Sequence, residues 1–276
     1  MNKIKNEVAL MFSGGIDSLL SAVLLQKKFD RVHLITFDKG YLEFGLKKNK
    51  ANIKKLKEIF GKDKFIDRII DIKDLTKNIT SKSLTRDFME YGSEVAWCVG
   101  CRLSMNIGAL IYSLEKNLCG FADGSNKEQV PGKANLVATA ENFPKVISHL
   151  REFAESYGMK FLTPVYNFGS REKKRKKLME FGLEIDYLSK DHSKKIKDLF
   201  TKDIFSRSQP ICVSGWLIHW KRNLLAIPVK HDEEKTKKYI LEKQEFVIKD
   251  YIKNYFIKKQ INIAELVRKR KEAHIE

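Results

Sequence analysis

An apolar run followed directly by two glycines is the sequence feature that most constrains how this chain can fold. Residues 8–12 contain no polar side chain, which is typical of a central parallel strand buried on both faces. Residues 18–25 then have the composition of a helix that packs on this strand. Because only a glycine turn separates the two, the start of the chain predicts the first strand–helix unit of an open parallel sheet.

The alternation of strands and helices continues along the chain. Four further apolar runs predict strands, at residues 32–37, 65–70, 118–122 and 161–165. Three stretches with helical spacing of apolar residues lie between them, at residues 49–60, 104–114 and 143–157. The predicted fold class is therefore α/β, a doubly wound, Rossmann-like parallel sheet in which ligands bind at the carboxyl ends of the strands.

Composition supports a folded, basic protein with two parts. The 276 residues are 43% hydrophobic, which is enough for a core and excludes disordered and fibrous classes. The formal net charge of +18 attracts polyanions, including nucleic acid, acidic lipid and nucleotides. The basic excess is denser after residue 170. We therefore expect an α/β domain over residues 1–170 and a basic, mainly helical C-terminal region over residues 171–276 that completes the active site.

The sequence has no pattern of a secreted or membrane protein. No run approaches the ~18 consecutive apolar residues of a spanning helix, and no secretory signal precedes the first strand. The four cysteines are too few for a secreted disulfide scaffold of this length. We expect a cytoplasmic protein, without membrane partners, whose cysteines serve metal or redox chemistry.

The turn after the first strand has the sequence Ser13-Gly14-Gly15-Ile16-Asp17-Ser18. Gly14 and Gly15 tolerate positive φ and have no side chains, so successive backbone N–H groups can converge on a phosphate. The N-terminus of the next helix adds partial positive charge. The turn is not a kinase-type P-loop, which needs GK[ST], nor a dinucleotide fingerprint, which needs a third glycine. It predicts an anion-binding cradle.

This turn resembles the SGGxDS signature of the PP-loop ATP pyrophosphatase superfamily, also called adenine nucleotide alpha hydrolase-like. The match is complete at Ser13, Gly14, Gly15, Asp17 and Ser18. The resemblance implies that these residues bind the pyrophosphate part of ATP together with Mg²⁺. It also implies that AMP is transferred to an acceptor oxygen and that Asp17 is catalytic. The alternative is a tight turn in which Asp17 or Ser18 only caps the helix.

Two aspartates follow predicted strands at the edge where ligands bind. Asp38 lies just past the second strand, where the adenosine half of a nucleotide is expected, although a simple turn would also use an aspartate there. Asp123 follows the strand at 118–122. Superfamily members often carry a Gly-His or Gly-x-x-x-Asp element at that place, which this sequence matches only in part. We expect Asp123 to contact Mg²⁺ or the nucleotide, with an Asp-Gly turn as the alternative.

A C-x-x-C pair and a distant cysteine provide candidate metal ligands. Cys98 and Cys101 are close enough in sequence to bind one metal centre. We expect Gly100 to ease a turn between them and the helix from Arg102 onward to stabilise their thiolates through its dipole. Cys212 adds a third thiol from far along the chain.

Three cysteines in this pattern resemble the subgroup of PP-loop enzymes that hold a [4Fe–4S] cluster for tRNA thiolation or for removal of sulfur from a thiolated base. The resemblance implies that Cys98, Cys101 and Cys212 bind the cluster and act in catalysis, with one iron open to sulfur. A structural Zn²⁺ site is an alternative that needs a fourth ligand, from Cys119 or a histidine. Cys119, however, lies in an apolar strand and is expected in the core. A redox-active cysteine pair is the other alternative.

Basic clusters and aromatic residues suggest a surface for RNA. The basic clusters lie at residues 47–50, 171–177 and 268–271. Aromatic side chains that could stack on an extruded base are Trp216, Trp220, Tyr251, Tyr255 and Phe256. The alternative is that the lysine-rich helices are solvated faces and the tryptophans are core residues. Charge and resemblance together predict that RNA binds.

The sequence thus predicts an ATP-dependent enzyme that adenylates a nucleobase carbonyl, in tRNA or as a thiolated nucleobase, and transfers or removes sulfur at a [4Fe–4S] cluster. AMP and pyrophosphate are the expected products. One alternative is an amide- or nitrile-forming PP-loop ligase that acts on a small carboxylate and holds zinc. Another is a nucleotide- or RNA-binding module without catalysis. No residue pattern identifies the sulfur donor, and a homodimer is compatible with the sequence.

Overall fold

The central element is a five-stranded sheet in which every pairing is parallel. The computed structural model describes residues 3–41, 43–44, 47, 49–129, 140–183, 211–212 and 232–273. The strands of this part of the chain are β1 (Lys5–Met11), β2 (Arg31–Asp38), β3 (Glu43–Phe44), β4 (Phe65–Asp71), β5 (Leu118–Ala122), β6 (Lys160–Leu162) and β7 (Ile211–Cys212). The order in the main sheet is β4-β2-β1-β5-β6, and β3 pairs with β7 in a separate antiparallel ladder.

Helices cover both faces of the sheet. Those in the described ranges are α1 (Ile16–Leu25), α2 (Lys50–Phe60), α3 (Lys73–Ile79), α4 (Leu84–Tyr91), α5 (Gly100–Glu115), α6 (Pro144–Ser156), α7 (Arg171–Glu180), α8 (Glu233–Lys243), α9 (Lys249–Lys258) and α10 (Ile263–Glu272). Two π-helical turns, Val95–Val99 and Gln244–Ile248, lead directly into α5 and α9. The α/β, doubly wound fold class is confirmed.

The first strand is uniformly apolar because it lies between two hydrophobic cores. Val8 and Leu10 point into the core that α1 and α2 cover, whereas Ala9 and Met11 point into the core that α5 and α6 cover. Successive side chains of a strand alternate between faces, so a strand covered on both sides needs apolar residues at every position.

The C-terminal helices pack into these same cores. The core on the α5 side includes Tyr239, Ile240, Ile248, Ile252 and Phe256. Leu178 of α7 belongs to the other core, together with residues of α1. Residues beyond 170 therefore bury apolar surface against the sheet domain, and a domain division at residue 170 stays a prediction.

One helix in the described part of the chain, Val95–Glu115, is long and apolar enough to cross a membrane. In the fold, 72% of its apolar window is buried, because it packs across the sheet. This burial is what a core helix of a globular fold shows, and it explains the apolar composition.

The register of the sheet brings the predicted site residues to one edge. Met11 pairs with Ile35, Asp38 with Asp71, and Leu10 with Ala122. The loops that follow β1, β2 and β5 therefore leave the sheet side by side. The strand predicted at 161–165 is wrong in its last three residues, since β6 ends at Leu162. Pro164, which has no N–H for the ladder, lies just beyond this end.

Candidate functional site

The glycine turn adopts the conformation of an open cradle at the N-terminus of α1. Gly14 has φ +79°, a left-handed conformation that other residues rarely adopt, and Gly15 is the extended N-cap residue. Within the turn, Ser18 Oγ donates to the Gly15 carbonyl at 3.0 Å. The Gly15 N–H points to Ser13 Oγ at 3.3 Å. These contacts stiffen the backbone that would face an anion.

Asn52 in α2 and Asn49 just before α2 hydrogen-bond to residues in and next to the turn. Asn52 Nδ2 donates to the Gly14 carbonyl at 2.9 Å. Asn49 Nδ2 donates to Thr36 Oγ1 at 2.6 Å, and Thr36 Oγ1 donates in turn to the Phe12 carbonyl at 3.1 Å. Within the described residues no side chain caps the start of α1. Asn52 thus holds the Gly14 carbonyl, and no side chain among the described residues caps the N-terminus of α1. The first N–H groups of α1 can therefore bind an anion.

Asp17 in the first turn of α1 is paired with a lysine from α7. Lys174 Nζ donates to Asp17 Oδ1 at 2.8 Å, and Asn126 Nδ2 lies 3.4 Å from the same oxygen. Lys174 is fully buried, whereas 28% of the Asp17 side chain remains exposed. Lys174 belongs to the basic run that was expected to be a surface for RNA. That expectation is wrong for Lys174, because its charge is turned inward to the loop.

Arg102 and Ser125 donate hydrogen bonds to the carboxylate of Asp123. Its Oδ2 accepts from Arg102 at 2.6 Å and from Ser125 Oγ at 2.8 Å, and its Oδ1 accepts from the Ser125 N–H at 2.9 Å. The carboxylate is 1% exposed. These contacts favour a structural role at the site edge, while a direct contact with Mg²⁺ or nucleotide stays a prediction.

Gly124, the residue after Asp123, lies against the loop. A Cβ at Gly124 would lie 3.2 Å from Asp17 Cβ and from the Ser18 nitrogen. This close approach needs glycine, since only a residue without a side chain fits there without displacing its neighbours. The segment after β5 therefore forms one wall of the cradle.

Asp38 ends β2 in a polar turn. Its Oδ1 accepts from the Gly40 N–H at 3.1 Å, and its Oδ2 pairs with Lys73 Nζ at 2.8 Å. The hydrogen bonds with Asp38 and Asp71 raise the pKa of Lys73 above its ordinary value. The turn that was weighed as the alternative for Asp38 is present. A nucleotide contact for Asp38 stays a prediction.

The cysteine pair lies inside a helix rather than before one. Cys98 is in the π-helical turn Val95–Val99, and Cys101 is in the first turn of α5, which continues that helix without interruption. The expected dipole effect from a helix that starts at Arg102 is therefore wrong, because the effect is confined to the first turn of a helix. A π-helical turn within an α-helix is frequent at functional sites.

Gly100 has a different role from the predicted one. Its φ and ψ are −60° and −43°, which is ordinary helix and no turn. A Cβ there would lie 2.5 Å from the Tyr239 hydroxyl oxygen and 2.8 Å from Thr80 Cγ2. Gly100 therefore allows α8 to pack closely against the cysteine helix.

The structure describes Cys212 only through the backbone of β7. Cys212 pairs with Glu43 in the β3–β7 ladder. Just before β3, the Tyr41 ring meets the Trp97 ring edge-on, with 5.4 Å between the centroids, and Trp97 immediately precedes Cys98. The Cys212 side chain lies outside the described residues. Among the residues that are described, no three His, Cys, Asp or Glu side chains form a metal-binding group.

Cys119 lies near the amino end of β5, an inner strand of the sheet, whereas the predicted site residues follow the carboxyl ends of the strands. It is the second residue of β5, and its thiol contacts the Glu7 carbonyl oxygen at 3.1 Å. Burial raises the pKa of this thiol above its ordinary value. Cys119 is only partly buried, so its predicted place in the core is wrong, and its exclusion from the metal ligands stays a prediction.

The predicted RNA surface is retained only in part. Phe256 and Arg270 are fully buried, so neither can contact RNA, and the predicted roles of these two residues are wrong. The Arg270 guanidinium instead donates to the Asn117 side chain and to the Leu118 and Gly158 carbonyls. Tyr251 and Tyr255 are partly buried. Lys48, Trp216 and Trp220 lie outside the described residues.

Three site residues escaped the sequence analysis: Asn52, Arg102 and Lys174. Asn52 and Lys174 reach the loop from distant helices, so no local motif marks them. One signal was available for Lys174, which shares a helix face with Leu178 four residues later. A lysine on the apolar side of a charged helix indicates a buried partner.

Comparison with known proteins supports the fold and the loop. Residues 7–96 match the family model of the queuosine biosynthesis protein QueC. No curated protein sequence matches the chain. A 4-thiouridine synthetase in complex with RNA and bound ATP has a similar structure, with a TM-score of 0.52 at 16% identity. The match covers 90% of this chain and 53% of the synthetase, so the chain spans about half the length of that protein.

Two further solved structures are less similar. The U34-tRNA thiolase NcsA from Methanococcus maripaludis, with its [4Fe–4S] cluster, gives a TM-score of 0.42 at 17% identity, covering 89% of this chain and 73% of that one. A predicted subunit of tRNA methyltransferase from Methanocaldococcus jannaschii gives 0.36 at 18% identity, covering 64% and 90%. Residues 7–96 are therefore similar to the QueC family model, and within them the complete SGGxDS motif lies in a strand–turn–helix setting.

Proposed function

We propose that this protein is an ATP-dependent enzyme that adenylates a carbonyl oxygen of a nucleobase in tRNA. In the direction of transfer, pyrophosphate leaves as the adenylate forms, and the activated oxygen then leaves with AMP when sulfide-level sulfur from a donor takes its place. In the direction of removal, a water oxygen replaces the sulfur of a thiolated base, which leaves as sulfide. Cys98, Cys101 and Cys212 would hold a [4Fe–4S] cluster that supplies the position for the sulfur. The observation that carries the proposal is the contact between Arg102 and Asp123. It joins the helix of the cysteine pair to the wall of the phosphate loop.

The nucleotide half of the reaction rests on the loop. The N–H groups of the first turn of α1 bind the β- and γ-phosphates, because they are aligned with the helix dipole, while Asn52 holds the Gly14 carbonyl of the adjoining turn in place. Asp17 is the carboxylate of the loop that would hold Mg²⁺. Because the loop holds the pyrophosphate in place, an acceptor oxygen can attack the α-phosphorus, and the bond between the α- and β-phosphates then breaks.

The sulfur half rests on the cysteines. Cys98 and Cys101 are partly exposed and three residues apart in a continuous helix, a spacing that puts two thiols on one face. The pairing of β7 with β3 supports a third thiolate from Cys212. Three thiolates suit a [4Fe–4S] cluster with one open iron, whereas structural zinc needs a fourth ligand. When bound, the cluster supplies the coordination position at which sulfur is exchanged.

An RNA substrate is supported by charge and by the shared fold. Exposed cations line the outer side of α7 and the end of α10, namely Arg171, Lys173, Lys176, Arg268 and Lys271. Each such cation can neutralise one phosphate and release a counterion. The 4-thiouridine synthetase with the same fold is bound to RNA and ATP. Binding should therefore weaken steeply with added salt.

The second candidate is a PP-loop ligase that acts on a small carboxylate and uses zinc. The observation that favours it is the match of residues 7–96 to a family named for queuosine biosynthesis rather than for thiolation. This enzyme would bind zinc and would release AMP and pyrophosphate without tRNA.

Metal analysis of anaerobically purified protein separates the two candidates. We expect iron and acid-labile sulfide in the wild type, and their loss in each of Cys98→Ala, Cys101→Ala and Cys212→Ala. Cys119→Ala is the matched control and should keep them, since Cys119 lies near the amino end of β5, away from the carboxyl ends of the strands. Stoichiometric zinc in place of iron would favour the ligase.

The substrate is tested by the dependence of AMP release on tRNA. We expect release to increase when unmodified tRNA is added and, with sulfide supplied, mass spectrometry of the digested tRNA to show one oxygen replaced by sulfur per molecule. In the direction of removal, a thiolated tRNA would instead exchange one sulfur for oxygen. AMP release that ignores tRNA would contradict an RNA substrate.

A further inference from the structure

The ion pair between Lys174 and Asp17 is unequal in its burial. Lys174 is fully buried, while Asp17 keeps 28% of its side chain exposed, with 2.8 Å between Nζ and Oδ1. A partly exposed carboxylate is solvated and needs no cation to be stable. A buried ammonium, in contrast, is costly unless it is paired. Stability alone therefore gives no reason to keep a lysine at this position, where an apolar residue would fill the same space.

The packing of α7 fixes where this ammonium points. Leu178, one turn later on the same face, packs with residues of α1 in the apolar core, which directs Lys174 to the first turn of α1. Over the described ranges, Asp17 is the one hydrogen-bond partner of the Lys174 ammonium. An ammonium has three donors, so two remain for an anion that enters the loop.

We propose that Lys174 occupies Asp17 in the nucleotide-free protein, so that a divalent metal ion binds Asp17 only together with ATP. This inference rests on the proposed function, because it assumes that the loop binds ATP. Without nucleotide, the ammonium and the metal ion compete for one carboxylate, and like charges repel strongly where water is excluded. With nucleotide, the phosphate oxygens accept hydrogen bonds from Lys174 and Asp17 is released to the metal.

A second contact keeps Asp17 in place during this exchange. Asn126 Nδ2 lies 3.4 Å from the same Oδ1 that Lys174 contacts. Asn126 is buried and its backbone N–H is held by Asn142 Oδ1 at 3.3 Å, so it does not depend on Lys174 for its position. The carboxylate therefore stays oriented when the ammonium turns to the phosphates.

Binding of Mn²⁺, followed by electron paramagnetic resonance on the full chain, tests the proposal. Titrations are made with and without α,β-methylene ATP for the wild type, Lys174→Met and the exposed-site control Lys253→Met, on α9. We expect tight Mn²⁺ binding to the wild type only with the analogue. Lys174→Met should bind Mn²⁺ without nucleotide at least about tenfold more tightly than the wild type, because one repelling charge is removed. Lys253→Met should behave as the wild type.

Further variants locate the effect. Lys174→Arg keeps the charge and should exclude Mn²⁺ as the wild type does. Lys174→Gln is a second neutral variant should Lys174→Met unfold. Asp17→Asn combined with Lys174→Met should lose the gained Mn²⁺ affinity, which places the ion at Asp17.

Two outcomes would overturn the role of Lys174. One is equal nucleotide-free Mn²⁺ affinity in wild type and the neutral variants, and the other is the same gain in Lys253→Met. Failure of the wild type to bind the analogue is a separate result. It would count against the proposed function, while the nucleotide-free titrations would still decide the role of Lys174.

Discussion

Arg102 Nη2 lies 2.6 Å from Asp123 Oδ2, and this contact connects the two halves of the candidate site. Arg102 follows Cys101 directly in α5, and Asp123 precedes the glycine that lies against Asp17. Because Asp123 is buried, the position of its carboxylate depends on the helix that carries the cysteines. The cysteine pair and the phosphate loop therefore share one rigid support.

Removal of Arg102 should destabilise the protein by leaving a buried carboxylate without its cation. We expect Arg102→Met to lower the free energy of unfolding by about 3 kcal/mol. Arg102→Met combined with Asp123→Asn should be more stable than Arg102→Met alone, because the unpaired charge is then removed. Urea denaturation of the two variants measures the difference. A double variant less stable than Arg102→Met would argue against the charge as the cause.

Asn52 should matter for nucleotide affinity more than for stability. Its side chain holds the Gly14 carbonyl at 2.9 Å, and loss of this bond lets the loop N–H groups turn away from the phosphates. We expect Asn52→Ala to weaken binding of α,β-methylene ATP about tenfold, the effect of one hydrogen bond to an ordered group. Isothermal titration calorimetry measures this. Asn78→Ala, on α3, is the control and should leave the affinity unchanged.

Gly100 should not accept a side chain. A methyl group would lie 2.5 Å from the Tyr239 hydroxyl oxygen, which is buried and donates to the Ala96 carbonyl. We expect Gly100→Ala to lower the free energy of unfolding by about 1–3 kcal/mol. In a double-mutant cycle with Tyr239→Phe, which removes the hydroxyl, Gly100→Ala should cost clearly less. An equal cost in both backgrounds would mean that another contact is responsible.

His33 should make the stability depend on pH. It is buried between Tyr112 and Glu7, with contacts of 2.7 and 2.9 Å, and burial lowers the pKa of its imidazole below 6.5, although the hydrogen bond with Glu7 acts in the opposite direction. The unfolded chain therefore binds a proton more readily than the folded one. Stability should fall as the pH decreases through 6.5, by at most about 1.4 kcal/mol per pH unit.

Comparison of unfolding free energies at several pH values between 7.5 and 5 tests this dependence. His33→Gln should show a smaller loss over the same range, whatever its stability at neutral pH. A variant with the same pH slope as the wild type would remove His33 as the cause.

The parts of the fold that local sequence determines were predicted well. The apolar runs at 32–37 and 118–122 correspond closely to β2 and β5, because a strand covered on both faces has an unambiguous composition. The SGGxDS turn was also placed correctly. It needs a positive φ at Gly14, which glycine adopts readily, and it leads directly into α1.

The contacts that depend on distant parts of the chain were not predictable. The basic run at 171–177 has one inward lysine. Leu178 marks the apolar face of that helix, but nothing in the local sequence identifies Asp17 as the partner of Lys174. Gly100 was expected in a turn. It lies in a helix instead, and the close approach of the Tyr239 hydroxyl from α8 leaves no room for a side chain there. Both errors came from applying a local pattern where tertiary packing decides.

The position at which ATP is cleaved tests the central claim most directly. Phosphorus NMR of the products formed from ATP and Mg²⁺, with tRNA present, should show AMP and pyrophosphate for the wild type and neither for Asp17→Asn. Thermal unfolding should confirm that the variant is folded. Formation of ADP and phosphate, or unchanged cleavage in Asp17→Asn, would contradict the assignment of this loop as a pyrophosphate-binding, adenylate-forming site.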